Sequence, residues 1–293
     1  MVKRTIYIVN PCKLSLRNYQ LVVENHSTGE VRTVPIEDIG FVVIENQQVN
    51  ITMPVLNALS ENNCSVVFCN DRHMPSAMLM NLETNTVQSE TYKFQSDASL
   101  PLKKNLWKQI VENKIENQAR LLTELGRDGD MLKPLYMNVK SGDSDNREGV
   151  AARLYWDALF GEDFTRSRFG GESNPMLNYG YSILRAAMSR AIMGSGLYPS
   201  FGLFHKNRYN AFPLADDLME PYRPYVDQIV YLLWQDGQRE LTTGIKQKLL
   251  NLLIVDVHFD DITRPLEIGL TMTTASLCRC LRGEGKRLEY PRL

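Results

Sequence analysis

Three segments carry residues whose types and spacing suit cation and phosphate chemistry. The first is Asp145-Asn146-Arg147-Glu148-Gly149, running into AARLYW. Glu148 can be read as half of a capping box, with Asp145 as N-cap and Glu148 three residues on. It can equally be a carboxylate in a first helical turn that faces a cleft and binds a hard cation, with Arg147 and Arg153 near phosphates. The second is Gly202-Leu203-Phe204-His205-Lys206-Asn207-Arg208-Tyr209-Asn210, built around one of four histidines. A polar loop explains it. Cations, amides and an aromatic ring beside an imidazole also suit a phosphodiester backbone and a stacked base.

The third segment is Pro213-Leu214-Ala215-Asp216-Asp217-Leu218-Met219-Glu220-Pro221-Tyr222-Arg223-Pro224. Pro213 suits a first helical position, and Asp216 and Asp217 in the first turn suit the helix dipole. Glu220 follows at helical spacing, and Pro221 and Pro224 break the backbone beside it by removing amide donors. A glutamate, a histidine and a helix of aspartates and glutamate, from three separate segments, form a donor set for Mg²⁺ or Mn²⁺ rather than for structural zinc. Other motifs point less far. Cys64-x4-Cys69-x3-His73 flanks an apolar strand, where cysteine acts as a small hydrophobe. Cys278 and Cys280 point in two directions on a helix. No GxGxxG, HExxH or nucleophile elbow is present.

The elements that must position these segments divide near residue 95. TIYIV (5–9), YQLVVEN (19–25), VRTVPI (31–36), FVVIE (41–45) and SVVFCN (65–70) read as short strands separated by turn-formers. They predict an N-terminal β-sandwich or small barrel over 1–90, with one helix from Thr52 to Asn62. The polar stretch around 84–100 predicts a linker, with 91–101 as its core. From 102 onward the 3.6-residue period takes over, notably in 102–125, 146–161, 177–194, 213–234, 246–257 and 265–283. The expected fold class is therefore α+β, an N-terminal β-sandwich followed by an all-α catalytic domain over 102–293.

Composition narrows the setting. The chain has 293 residues, 43% hydrophobic and 23% charged, with a formal net charge of −1. Any DNA surface must then be a local patch rather than a global charge. Five cysteines, an odd number, and the lack of a signal-peptide pattern point to a reducing cytoplasm. No apolar run is long enough to span a bilayer, so no membrane partner is expected.

The run GLFHKNRYNAFPLADDLMEPYRPYVD (202–227) resembles the signature of the CRISPR-associated adaptation integrases, the Cas-one family. REGVAARLYW (147–156) resembles that family's glutamate motif, and NPMLNYGYSILRAAMSRAI (174–192) its intervening helix. KRTIYIV, IEDIGFVVIE and NCSVVFCNDRHMP are similar to the branch that accompanies Cas-nine-type (type II) effectors. The resemblance implies an N-terminal β-sandwich that dimerises and a helical catalytic domain. It implies Glu148, His205 and Glu220 as metal ligands and catalytic residues, with glutamate where aspartate is common, and Asp217 as a further acidic position. The implied partners are double-stranded DNA (spacer precursor and CRISPR array), a second copy in a homodimer, a Cas-two dimer in a heterohexamer, and the Cas-nine effector. The implied reaction is metal-dependent joining of a 3′-hydroxyl to the repeat. Cutting without joining, and a non-catalytic DNA-binding scaffold, are the alternatives. Lys206, Arg208, Asn210, Arg223, Arg147 and Arg153 are the candidate DNA contacts.

Overall fold

Alternating and fully apolar runs become two kinds of strand near the N-terminus. The structure, a computed structural model, describes residues 3–81, 83–167, 171, 173–205 and 207–293. It comprises two units, Met1–Thr84 and Asn85–Leu293.

In the first unit, β2 (Cys12–Arg17), β3 (Gln20–Asn25) and β4 (Val31–Pro35) form an antiparallel meander, with the short β6 (Asn50–Ile51) parallel to β2. The β2–β3 turn is two residues long, and Asn18 and Tyr19 both take positive φ (51° and 56°). That is the twist a tight hairpin needs, and asparagine tolerates it well. The second sheet holds β1 (Arg4–Ile8), β5 (Ile39–Ile44), β7 (Ser65–Cys69) and β8 (Pro75–Leu79) in the order β1-β5-β7-β8. β1, β5 and β7 are parallel, and β8 closes the sheet antiparallel. Helix α1 (Met53–Glu61) lies in the connection from β5 to β7. Both sheets and α1 share one core, including Leu14, Leu21, Ile36, Val42, Leu59 and Val66.

The expected β-sandwich is thus correct as two sheets on a shared core but not as a purely strand-built unit. Every residue of β5 is buried. Such continuous apolar runs mark a central parallel strand, and parallel neighbours require a crossover, which α1 occupies.

In the second unit, α2 (Gln88–Asp97) and α3 (Leu100–Glu124) occupy the stretch expected to be a linker. The expected linker at 91–101 is corrected by helix: Thr91 and Gln95, one turn apart, are both buried. The Gln95 side chain donates to the carbonyls of Tyr198 and Phe201 and accepts from the amide of Tyr198. A helix whose buried face is polar leaves no hydrophobic period to read. Ser99 caps α3 by accepting from the Leu102 amide.

The remaining helices are α4 (Lys133–Tyr136), α5 (Arg147–Phe160), α6 (Asn174–Gly194), α7 (Pro213–Leu218), α8 (Arg223–Gln235), α9 (Thr243–Leu250) and α10 (Leu266–Arg282). α3 and α6 run through the interior, burying Leu106, Trp107 and Ile110 on one and Met176, Ile183 and Leu184 on the other. Gly180 lets α6 approach α8, because a Cβ there would stand 2.5 Å from Val226 Cγ1.

The all-α expectation is corrected in one place. The helix read over 246–257 ends at Leu250, and Asp256–His258 (β9) pairs antiparallel with Thr263–Pro265 (β10). After a 3₁₀ turn over Asn251–Ile254, the β-branched Val255 and Val257 favour extension over a further helical turn.

Candidate metal centre

Glu148 stands in the first turn of α5, but the cap there is not the expected box. Asn146 adopts the left-handed conformation, with φ 52°. The carboxylate of Asp143 accepts from the backbone amides of Arg147 (2.8 Å) and Glu148 (3.1 Å). Asp145 pairs instead with Arg147 Nε at 2.9 Å. With its helix end satisfied by Asp143, the Glu148 side chain is left to reach α3, where Lys114 Nζ donates to Oε1 at 2.6 Å.

Glu220 arrives at the same ammonium from a backbone break. α7 ends at Leu218, Glu220–Tyr222 forms a 3₁₀ turn, and α8 restarts at Arg223. Pro221 and Pro224 explain the break, since neither offers an amide to continue the helix. Glu220 is 97% buried. Its Oε2 lies 2.6 Å from Lys114 Nζ and its Oε1 2.9 Å from Arg223 Nη2. Each of its two oxygens is thus held by a cation. Burial is the largest influence on Glu220 and favours its neutral form. Arg223 and Lys114 together outweigh it and hold the carboxyl below its ordinary range. Burial likewise disfavours the Lys114 ammonium, but Glu220 and Glu148 outweigh it and keep the amine above its ordinary range.

His205 lies in the loop between α6 and α7, and Asp217 organises that loop. The Asp217 carboxylate is fully buried. It accepts from the amides of Leu203 (2.6 Å), Phe204 (3.0 Å) and His205 (3.2 Å), and pairs with His205 Nδ1 at 2.5 Å. A carboxylate acceptor fixes Nδ1 as the donor and leaves Nε2 as the basic nitrogen. Gly202 is required beside it, because a Cβ would stand 2.9 Å from the His205 carbonyl oxygen and 3.2 Å from Asp217 Oδ2. Trp107 holds the other side. It stacks on Phe204 with centroids 4.2 Å apart and meets the His205 ring edge-on at 5.6 Å. The Asp217 bond is the main reason the His205 pKa is raised; burial opposes it, and Glu220 and Asp216 add to it. Asp217 itself is raised by burial, which its bonds to His205 and the loop amides only partly offset.

A deeper carboxylate braces this frame. Asp227 on α8 accepts from Tyr155 on α5 (2.8 Å) and from Tyr181 on α6. Tyr155 lies two turns beyond Glu148, so the bond fixes the helix that presents Glu148.

The sequence-derived DNA contacts divide by environment. Arg223 is committed to Glu220 and lies 4.7 Å from the ring centroid of Tyr181. Asn210 accepts from Arg185 and from the Phe212 amide, and donates to Asp216 at 2.7 Å. Arg147 binds Asp145 and the carbonyl of Pro134. Arg208 lies over the exposed ring of Tyr209, and Arg153 is exposed on α5. Lys206 lies outside the described residues. Arg208, His205, Asn207, Asn210 and Lys103 line an open cavity of about 490 Å³ beside the imidazole.

Sequence reasoning missed Lys114, Asp143 and Asp227. Lys114 had a signal: it continues the buried stripe Trp107, Val111, Gln118 at helical spacing, where a lysine is out of place.

The residues fit a divalent ion in type and charge: two carboxylates that converge on one cation position, and an imidazole oriented through its far nitrogen. Among the described residues, no three of the His, Cys, Asp and Glu side chains stand as an assembled metal cluster. The place between the glutamates is held by the Lys114 ammonium.

Comparison with known proteins identifies the family. The chain matches the family described as CRISPR associated protein Cas1 over residues 6–251. It is 43% identical over 264 residues to the CRISPR-associated endonuclease Cas1 of Neisseria meningitidis serogroup C (strain 8013), across 89% of this chain and 86% of that one. In fold it is similar to a casposase bound to integration product (TM-score 0.81, 21% identity, 98% of this chain and 92% of that one). It is also similar to a chain of the Cas6-RT-Cas1–Cas2 complex (TM-score 0.74, 18% identity, 97% and 35%). Since the family match runs through both units and takes in Glu148, His205 and Glu220, this chain belongs to the Cas1 family of CRISPR associated proteins.

Proposed function

We propose that this protein is a metal-dependent DNA integrase of CRISPR adaptation, joining the 3′-hydroxyl of a spacer-precursor duplex to a phosphodiester at the repeat boundary. The observation that carries this reading is the convergence of Glu148 and Glu220, 72 residues apart in sequence, on one cationic position. The reaction exchanges one phosphodiester for another. The 3′-oxygen bonds to phosphorus, the repeat's own P–O bond breaks, and the proton lost by the attacking hydroxyl is balanced by one gained on the leaving 3′-oxygen. No external energy is needed.

A divalent ion, Mg²⁺ or Mn²⁺, held by Glu148, Glu220 and His205 Nε2, supplies the charge that stabilises the phosphoryl and the attacking or leaving oxygens. The chain's own groups prepare that site. Asp217 holds the imidazole through Nδ1, which fixes the ring and leaves Nε2 as the ligating nitrogen. Asp143 fixes the start of α5 and with it Glu148. Arg223 fixes Glu220. Arg208 meets the DNA backbone beside His205, Lys206 is the second proposed phosphate contact, and Tyr209 offers a stacking face. The N-terminal unit carries dimerisation. A Cas2 dimer is the proposed protein partner, in keeping with the Cas1–Cas2 complex named above. The likeness of the N-terminal half to the type II branch adds a Cas9-type effector.

The test incubates a short 3′-hydroxyl duplex with a supercoiled plasmid bearing the repeat array. Covalent joining that is lost in Glu148→Ala, His205→Ala and Glu220→Ala supports integration. Cutting without joining identifies a plain endonuclease, and full joining by all three folded variants removes the site. Arg208→Ala is expected to weaken DNA binding and lower its salt slope by about 1; an unchanged slope argues against the contact.

A further inference from the structure

A lysine that is nine-tenths buried needs partners to remain charged, and Lys114 has two carboxylates at 2.6 Å. We propose that Lys114 is the resident cation of the metal centre: its ammonium neutralises Glu148 and Glu220 while no metal is bound, and it is displaced when a divalent ion enters. This rests on the reading of those glutamates as metal ligands.

Two observations carry it. The ammonium lies between the two carboxylates, 2.6 Å from an oxygen of each, at the point where a shared ion would have to contact both. The second observation is the charge balance. Glu148 and Glu220 carry two negative charges, and Lys114 and Arg223 carry two positive ones against them. A divalent ion added to this set would leave a buried positive excess. Moving the Lys114 ammonium out of contact relieves part of that excess, and the phosphate of bound DNA relieves the rest. Arg223 is pinned by Glu220 and the Tyr181 ring, whereas lysine has a flexible four-carbon stem that can withdraw without moving α3.

The experiment titrates Mn²⁺ into the DNA-free, full-length protein by calorimetry and follows the melting temperature with and without Mn²⁺. Lys114→Met keeps the length of the side chain and removes the charge. It is expected to melt below the wild type without metal, to bind Mn²⁺ about tenfold more tightly because no ammonium competes, and to gain more in melting temperature when Mn²⁺ is added. Lys114→Arg, which keeps the charge, is expected to restore metal-free stability and weak Mn²⁺ binding. Lys114→Gln reads the same comparison if the methionine variant does not fold. Mn²⁺ affinity that is unchanged or weaker in both uncharged variants overturns the displacement. The double variant Glu148→Gln/Glu220→Gln separates the two claims. If it binds Mn²⁺ as well as the wild type, the ligand assignment itself fails; if it loses binding while Lys114→Met binds like the wild type, only the role of Lys114 fails.

Discussion

Glu220 and Asp227 are seven residues apart, both almost completely buried, and shifted in opposite directions in acidity. Burial is the largest influence on each, and it favours the neutral acid in both. At Glu220 the cations Arg223 and Lys114 reverse that influence and hold the carboxyl below its ordinary range. At Asp227 the opposing groups are chiefly two tyrosine hydroxyls, with Arg223 and Arg166 farther off, and they do not reverse it; the pKa rises to about 6. Equal burial therefore says little about charge. Partner type decides whether a buried acid is a charged ligand in waiting or a structural acceptor near neutrality.

The comparison breaks most visibly at Glu220. Glu220→Ala leaves Lys114 and Arg223 facing each other with one carboxylate between them, and removing one partner of a buried ion pair costs about 3–5 kcal/mol. Chemical denaturation of the metal-free protein measures this. A loss below about 1 kcal/mol would mean that Glu220 is solvated like a surface acid. Asp217 comes next. Asp217→Ala removes the acceptor of three loop amides and of His205 Nδ1. The expected cost is roughly 3 kcal/mol, because buried donors left without partners keep their desolvation penalty. Joining activity is expected to fall as far as in His205→Ala. A folded variant with normal activity would show that the imidazole is held without Asp217.

Asp227 sharpens the contrast through pH. Its pKa in the folded protein lies above the ordinary aspartate value, so its contribution is fully present at low pH and is lost as pH rises through about 6. Between pH 7 and pH 5 the wild type is expected to gain about 1 kcal/mol relative to Asp227→Asn, which binds no proton there. Parallel denaturation series at the two pH values measure the difference. A wild type that loses ground to the variant on acidification would place Asp227 with Glu220, as a charged acid.

These contrasts mark what the sequence made legible. Glu220 stood out because Pro221 and Pro224 announce a backbone break beside a carboxylate. The helices with strong apolar periods, such as α6 and α8, were readable from spacing alone. α2 was not, because its buried face is Thr91 and Gln95, and the partners of Gln95 are loop backbone groups more than a hundred residues away. The cap of Glu148 was misread for a related reason: Asp143 reaches the amides across a left-handed Asn146, a geometry that residue spacing does not encode. Lys114 was visible as a charge on a buried stripe, but its meaning depended on two acids brought from elsewhere in the chain. Asp227 carried no local signal, since tyrosines from α5 and α6 define its environment.

The smallest effect tests how Asp227 is tied to the metal centre. Tyr155→Phe deletes one of its two tyrosine bonds and keeps the ring, so the expected loss is about 1 kcal/mol or less. Tyr155 helps the charged form of Asp227, so its removal is expected to move the pH midpoint of the stability gain upward. Because Tyr155 and Glu148 share α5, the same variant also reads positioning. A modest fall in joining rate with unchanged DNA affinity is expected if the bond to Asp227 fixes the register of that helix. An unchanged midpoint would assign the charge state of Asp227 to Tyr181 and the nearby arginines. An unchanged rate would show that Asp143 and Lys114 hold Glu148 in place without help from the far end of the helix.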